Sequence, residues 1–191
     1  MERTVVLIKP DGVKRGLIGE ILSRFEKAGL KIVGMKMVWV DFDLAEKHYP
    51  KDKDYLTALG KKSLETYQKY GKDPKEKLGT KDPARIGKMV RSWFANYLTS
   101  GPVVAVLLEG NHAIDQVRTM IGHTLPNLAA PGTIRGDYST DSPVLANAAK
   151  RAVKNLVHAS GTPQEAKFEE QLWFKKDEIH SYKRAEEEVM F

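Results

Sequence analysis

Four runs of β-branched and apolar residues alternate with stretches of helical periodicity, in the order strand, helix, strand, helices, strand, helix, long loop, strand, helix. That order predicts an α+β protein: a ferredoxin-like βαββαβ sandwich with an antiparallel four-stranded sheet, helices and surface insertions. There is no internal repeat, and 191 residues of which 41% are hydrophobic suffice for one core. The expectation is a single domain over 1–191. It carries a charged insertion at 50–83, a long loop at 122–142, a second insertion at 141–153 and a polar tail at 175–191.

Residues 3–8 alternate weakly and end at Lys9-Pro10-Asp11-Gly12, so they read as a strand closed by a turn. Ile18, Ile21, Leu22 and Phe25 recur at helical spacing, and Gly29 supplies the stop. Residues 30–40 are rich in β-branched and bulky side chains and read as a second strand. Asp43-Leu44-Ala45-Glu46 has the form of a capping box, opening a short helix through His48 and Tyr49. Residues 50–83 are crowded with Lys, Asp, Gly and Pro and show one helical pattern, at 62–70. They read as a surface insertion, either a basic lid over or beside the cleft mouth, or a solvated decoration or a contact between subunits. Ile86, Met89, Val90, Trp93, Phe94 and Tyr97 form the stripe of an amphipathic helix, ended by Ser100-Gly101-Pro102.

Residues 103–108 are continuously apolar, as in a central strand. Asn111 is placed to cap a helix reaching about Ile121. Residues 122–142 then read as one loop, long enough to suggest a functional role. Ser142-Pro143 starts a further helix through Val153, and 155–160 form the last strand. Thr162-Pro163-Gln164-Glu165 combines an N-cap, a proline at the first helical position and a glutamate at the third, so a helix begins there.

Composition narrows the function. The chain has no cysteine, which excludes disulfides, thiolate catalysis and cysteine metal sites. No segment is apolar for long enough to span a membrane, and the N-terminus lacks a signal-peptide pattern, so a cytoplasmic location is expected. The net charge of +6 favours anionic ligands.

His158 stands in the last short strand beside small residues, and Arg135 lies in the turn-rich run Pro131-Gly132-Thr133-Ile134-Arg135-Gly136-Asp137. A nucleophilic imidazole with a guanidinium near it points to phosphoryl chemistry. Lys9 at a strand end is either solvent punctuation or a fixed cation beside a polyphosphate; no P-loop spacing accompanies it. Arg118, Thr124 and Arg135 can converge on one anion, but spacing alone leaves separate surface roles open. Glu169, on the helix after His158, can reach the far imidazole nitrogen or lie on the helix surface beside Glu170. The remaining histidines show no metal-ligand spacing, so no protein-built metal site is expected.

At this point the residues resemble the nucleoside diphosphate kinase family. The matching stretches are Glu2-Arg3-Thr4, Ile8-Lys9-Pro10-Asp11-Gly12-Val13, Arg24-Phe25-Glu26, His48-Tyr49, Ser100-Gly101-Pro102-Val103-Val104-Ala105 and Leu108-Glu109-Gly110. The 131–137 run, Asn155 with His158 and Ser160, and Leu172-Trp173-Phe174 complete them, in order, leaving out 50–95 and 138–154.

The resemblance implies reversible, ping-pong transfer of the γ-phosphate of a nucleoside triphosphate, mainly ATP, to a nucleoside diphosphate. It implies His158 as the nucleophile, phosphorylated on its pros nitrogen, with Glu169 orienting it. Lys9, Tyr49, Arg118, Thr124, Arg135 and Asn155 would hold phosphates and ribose. Mg²⁺ would be carried by nucleotide phosphates, and the protein would be a homo-oligomer, hexamer or tetramer. The base clamp is not located by the resemblance; Tyr55, Val90 and Phe94 are its candidates. Two departures stand out, since the family's usual His-Gly-Ser-Asp reads His158-Ala159-Ser160-Gly161. Two other classes stay open: a catalytically weakened scaffold member of the family, and a nucleic-acid-binding protein. The retained His158, Lys9, Arg118, Arg135 and Asn155 speak against the first. The lack of an aromatic–basic recognition motif speaks against nucleic acid as a primary partner.

Overall fold

Two strands, β1 (Glu2–Ile8) and β3 (Pro102–Gly110), are almost wholly buried because apolar layers cover both faces of the sheet. Strand alternation divides them. Val6, Ile8, Val104, Val106 and Leu108 face one layer, with Ile21, Phe25, Val117 and Ile121. Val5, Leu7, Val103, Ala105 and Leu107 face the other, with Ala95, Leu98, Trp173 and Phe174. This two-sided burial is why residues 103–108 read as an unbroken apolar run. The fold is a computed structural model that describes residues 1–185 and 187–190; residues 186 and 191 of the expected tail lie outside the described residues.

The sheet order is β2-β3-β1-β4, with β2 at Lys31–Trp39 and β4 at Val157–Ala159, and every pairing is antiparallel. This is the expected ferredoxin-like α+β arrangement. Helices α1 (Pro10–Lys14), α2 (Ile18–Lys27) and α3 (Phe42–His48) precede the long helical segment; α7 (Ala113–Ile121) and α10 (Pro163–Trp173) follow it. As the sequence predicts, Thr162 caps α10, its hydroxyl accepting from the Glu165 N–H at 3.1 Å.

Several local expectations are corrected. Lys9-Pro10-Asp11-Gly12 opens a helix rather than a plain turn, because proline at the first helical position has its φ preset. Asp41, not Asp43, caps α3, its carboxylate accepting from the Leu44 N–H at 2.8 Å. Asn111 does not cap α7; the Glu2 carboxylate accepts from the Ile114 N–H at 2.9 Å instead, a long-range contact that local sequence cannot announce. Residues 122–142 are not one loop: they hold a 3-10 turn at Pro126–Leu128 and helix α8 at Ile134–Tyr138, capped by Thr133. Helix α9 spans only Pro143–Ala148, stopping well before Val153, and β4 is three residues long rather than six.

The largest correction concerns 50–83. It contains a 17-residue helix, α4 (Lys53–Lys69), capped by Asp52, and a short α5 (Pro74–Leu78), where one helix at 62–70 was expected. Helix α4 packs along α6 (Pro83–Leu98). The crossing is so close that a Cβ on Gly60 would lie 1.8 Å from the Pro83 carbonyl oxygen, and one on Gly87 1.8 Å from that of Leu56. Both glycines are therefore contact points between backbones, not helix punctuation. Tyr67, Leu78, Ile86 and Val90 form a small core of their own between these helices.

Candidate active site

The site grows from the way β4 begins. Leu156 has φ 67°, a left-handed conformation disfavoured for a side chain with a Cβ. The Val157 N–H donates back to the Asn155 carbonyl at 2.7 Å, which closes a γ-turn over Leu156. The turn is held from outside. Its Leu156 carbonyl accepts from the Lys9 N–H at 2.7 Å, and its Leu156 N–H donates to the Asp11 carboxylate at 3.2 Å. The other Asp11 oxygen accepts a short hydrogen bond from the Tyr97 hydroxyl. Such strain persists only where the surroundings over-determine it. It turns the chain so that His158 lies opposite Leu7 on the central strand, at the wall of a cleft of about 1120 Å³.

His158 is partly exposed to this cleft. Its Nε2 lies 2.7 Å from Glu169 Oε1, so a neutral ring carries its proton there. Nδ1 has no hydrogen-bond partner among the described residues. The second Glu169 oxygen accepts from the Ser160 hydroxyl at 2.6 Å, and that hydroxyl accepts from the Val5 N–H at 3.2 Å. Burial works to raise the Glu169 pKa, but His158, His48 and Ser160 more than offset it and leave it below the ordinary carboxylate value. Behind them sits His48, its ring edge-on to His158 at 4.6 Å and its Nδ1 accepting from the Trp173 indole at 3.3 Å. Burial, reinforced by His158, pushes the His48 pKa down to about 3, so the ring is neutral. His48, His158 and Glu169 lie close enough to offer one ligand atom each to a metal ion; both Glu169 oxygens are already engaged, while His158 Nδ1 and the buried His48 Nε2 have no hydrogen-bond partner among the described residues.

Cations line the rest of the cleft. Lys9 Nζ donates to the Asn155 side-chain oxygen at 2.7 Å, and the Asn155 amide donates to the Thr124 carbonyl at 2.9 Å. Burial, together with Arg135, pushes Lys9 down to about 7. Arg135 comes from helix α8 rather than from an open loop, and it is 5% exposed. Its guanidinium donates to the carbonyls of Gly122, Val157 and Asn155 at 2.7, 2.8 and 3.2 Å, which fixes β4 as well as supplying charge. Burial, then Arg118, lowers its pKa to about 10, which leaves it charged at neutral pH. Arg118 and Thr124 also line the cleft; the contact Thr124 makes with Asn155 is through its backbone carbonyl.

Lys9, Tyr49, Arg118, Thr124, Arg135, Asn155, His158 and Glu169 thus border one space, and so do Tyr55 and Phe94. Val90 does not. It is buried against α4 with Tyr67 and Ile86, because the insertion is a packed helix and takes that face of α6. Of segment 50–83, only Pro50 and Tyr55 reach the cleft wall, so the expected lid lies mostly against α6. The departure at Gly161 finds a local answer: its N–H donates to the Glu165 carboxylate at 2.7 Å, in space where a Cβ would come within 2.8 Å of that oxygen and 3.1 Å of Arg118. Ala159 pairs with Val6 and packs into the core.

Sequence reading missed several supporting residues. Asp11, Tyr97 and Ser160 act on backbone or on Glu169, which no local pattern reveals. Arg91 donates to the carbonyls of Glu46, Tyr49 and Pro50 and to the Glu46 carboxylate, tying α6 to the end of α3 that carries Tyr49.

Comparison with known proteins decides the family. A model of the family described as nucleoside diphosphate kinase matches residues 2–61 and 85–179. The nucleoside diphosphate kinase of Pyrobaculum aerophilum is 50% identical over 179 residues, covering 94% of this chain and 98% of that protein. The chain belongs to the nucleoside diphosphate kinase family. The crystal structure of an NDP kinase from Pyrobaculum aerophilum superposes on this kinase with a TM-score of 0.92 at 48% identity, covering 94% of this chain and 99% of the other. A transition-state mimic of the Borrelia burgdorferi nucleoside-diphosphate kinase, with bound vanadate and ADP, gives 0.78 at 35% identity, covering 97% and 94%. The reaction of this kinase is phosphoryl transfer from a nucleoside triphosphate to a nucleoside diphosphate, and among the described residues no helix is long and apolar enough to cross a membrane.

Proposed function

We propose that His158 carries the phosphoryl group between the two nucleotides of the family reaction. The observation that supports this is the opposite fate of its ring nitrogens: Nε2 is committed to Glu169 at 2.7 Å, and Nδ1 is left to the cleft. The Nδ1 lone pair attacks the γ-phosphorus as the bond to the bridging oxygen breaks, and the diphosphate leaves with that electron pair. Glu169 accepts the Nε2 proton's hydrogen bond throughout and stabilises the positive charge that the ring acquires. A second diphosphate then takes the group by the same path in reverse, from the same cleft. Lys9, Arg118 and Arg135 offset the charge on the phosphates, with Thr124 and Asn155 beside them. Binding of ADP with vanadate, a stand-in for the transferring phosphoryl group, by the Borrelia relative agrees with this reading.

Tyr55 and Phe94 are the base-clamp candidates that remain beside the cleft, with the Tyr49 ring 5.5 Å from that of Phe94. The donor set around the cleft suits Mg²⁺ only as a passenger. Glu169 has both oxygens engaged and Glu165 accepts from the Gly161 N–H, which leaves Asp115 as the other carboxylate on the cleft wall, too few oxygens for an all-protein Mg²⁺ cage. Phosphate oxygens and water would hold the ion, and when bound it would offset charge on the β- and γ-phosphates.

The protein acts as a homo-oligomer in this reading. Met35, Met37 and Trp39 stand on one face of edge strand β2 with 55%, 57% and 73% exposure, and Phe42 follows with 60%, an exposed apolar stripe that a second copy would cover. Hexamer and tetramer both meet that need. A cytoplasmic location fits a chain without cysteines. The test is nucleotide exchange between ATP and diphosphates of purine and pyrimidine, ribose and deoxyribose. The wild type should accept all four classes, and His158→Ala should lose about 10⁴-fold or more of the rate. Substantial turnover by that variant would overturn the assignment.

A further inference from the structure

His48 and Trp173 are buried behind the nucleophile, at the C-terminal ends of α3 and α10, and the phosphoryl transfer described above gives neither a role. We infer that they form a tautomer lock: Trp173 keeps the His48 ring proton away from Glu169, so that Glu169 Oε1 serves His158 alone. Both are positioning residues, since they act through Glu169 on the His158 ring. The inference rests on the reading of His158 as nucleophile and adds what fixes the protonation of its ring.

Three observations carry it. First, the Trp173 indole N–H donates to His48 Nδ1 at 3.3 Å, and an indole nitrogen can only donate. Burial keeps the His48 pKa down at about 3, so the ring carries one proton, and that proton is on Nε2. Second, the proton finds no use there. His48 Nε2 is buried and has no hydrogen-bond partner among the described residues. Such an orphan donor is rare in a folded chain and calls for a reason. Third, the reason lies on the other side of the ring. His48 Nδ1 is 3.7 Å from Glu169 Oε1, the oxygen that accepts from His158 Nε2 at 2.7 Å. Without the indole, the His48 proton would leave a nitrogen that has no acceptor for one that faces a carboxylate.

That move would reach the nucleophile. Glu169 Oε1 would then accept from two imidazoles, its other oxygen being already taken by the Ser160 hydroxyl. Its hold on the His158 Nε2 proton would weaken, and the His158 tautomer protonated on Nδ1 would gain population. In that tautomer the nitrogen left to the cleft has no lone pair with which to attack phosphorus. The indole N–H thus leaves one buried donor unsatisfied and keeps the reactive lone pair free.

Histidine-selective ¹⁵N labelling of the full chain, free of nucleotide, shows which nitrogen of each ring is protonated. The wild type should have both His48 and His158 protonated on Nε2. In Trp173→Phe the His48 proton should shift to Nδ1. Phosphorylation by ATP in a single turnover should then fall about tenfold or more, with ADP affinity within about twofold of wild type. His48→Phe on that background removes the competing donor and should recover most of the lost rate, which a merely structural role for Trp173 does not allow. His48 protonated on Nδ1 in the wild type would overturn the inference before any variant is made. So would an unchanged tautomer or an unchanged rate in Trp173→Phe, or a double variant as slow as the single one. A wild type that takes no phosphate on His158 would instead overturn the assignment of the nucleophile, a result separate from the tautomers read by NMR.

Discussion

Strand β4 and the α4–α6 helix pair hold their shape in contrasting ways. β4 is three residues long, and its position depends on side chains that arrive from elsewhere: Asp11 on the Leu156 N–H, Arg135 on three carbonyls, Glu169 on His158, Ser160 on Glu169. The helix pair relies on shape. Its backbones touch at Gly60 and Gly87, and an apolar cluster with Tyr67, Leu78, Ile86 and Val90 fills the space beside them. The first region sets the orientation of one ring by satisfied polar groups; the second joins an extra helix to the fold by excluding atoms. Substitutions in the first should therefore change rates, and substitutions in the second should change stability.

The sharpest contrast comes from Gly87→Ala. The added methyl would sit 1.8 Å from the Leu56 carbonyl oxygen, so the helices must separate. We expect a loss of about 3 kcal/mol or more, seen as a fall in Tm of roughly 6–12 °C. Gly19→Ala is the control: nothing lies within 4 Å of its added Cβ, and a helical alanine should be neutral or stabilising. Equal melting temperatures for the two variants would remove the proposed difference between the regions.

Next in size is Glu169→Gln. It preserves volume and leaves the cations untouched, but it weakens the support of His158. The turnover rate should fall about 10- to 100-fold with nucleotide affinity nearly intact. A collapse of affinity at normal turnover would mean that Glu169 serves the nucleotide and not the ring.

The smallest effect is a proton count. Lys9 is held down to about 7 by burial and by Arg135, so in the free protein at pH 8 it is mostly neutral. A bound polyphosphate favours its charged form, so nucleotide binding at that pH should take up close to one proton. Binding to cations makes a phosphate release protons, never take them up, so the sign is diagnostic. The same linkage makes nucleotide affinity fall as pH rises through and above 7. Calorimetry in buffers of different ionisation enthalpy measures the uptake, and Lys9→Met should abolish it. No uptake in the wild type would show that Lys9 is charged before the nucleotide arrives.

How far the sequence revealed this molecule follows the same division. Thr162-Pro163-Gln164-Glu165 announced α10 because its capping chemistry is local, and residues 103–108 announced β3 because both faces of that strand are buried. The candidate site residues were legible through motifs, and they border one cleft except for Val90. What stayed hidden depended on contacts distant in sequence. The full length of α4 was obscured because Gly60 looks like a break until α6 lies against it. Val90 looked free to face the cleft because the helix that covers it was not expected. Arg135 was read into an open loop, since the five-residue helix that carries it is held by contacts to 122, 155 and 157 rather than by its own periodicity.

The central claim is that His158, oriented by Glu169, is the residue that takes the phosphoryl group. Incubation with ATP labelled in its γ-phosphate and removal of free nucleotide tests it most directly. The account predicts one stable label on each subunit, lost in acid and kept in base, located at His158 by peptide mapping, discharged by added nucleoside diphosphate and absent from His158→Ala. Label on another residue, or label that no diphosphate can remove, would contradict it.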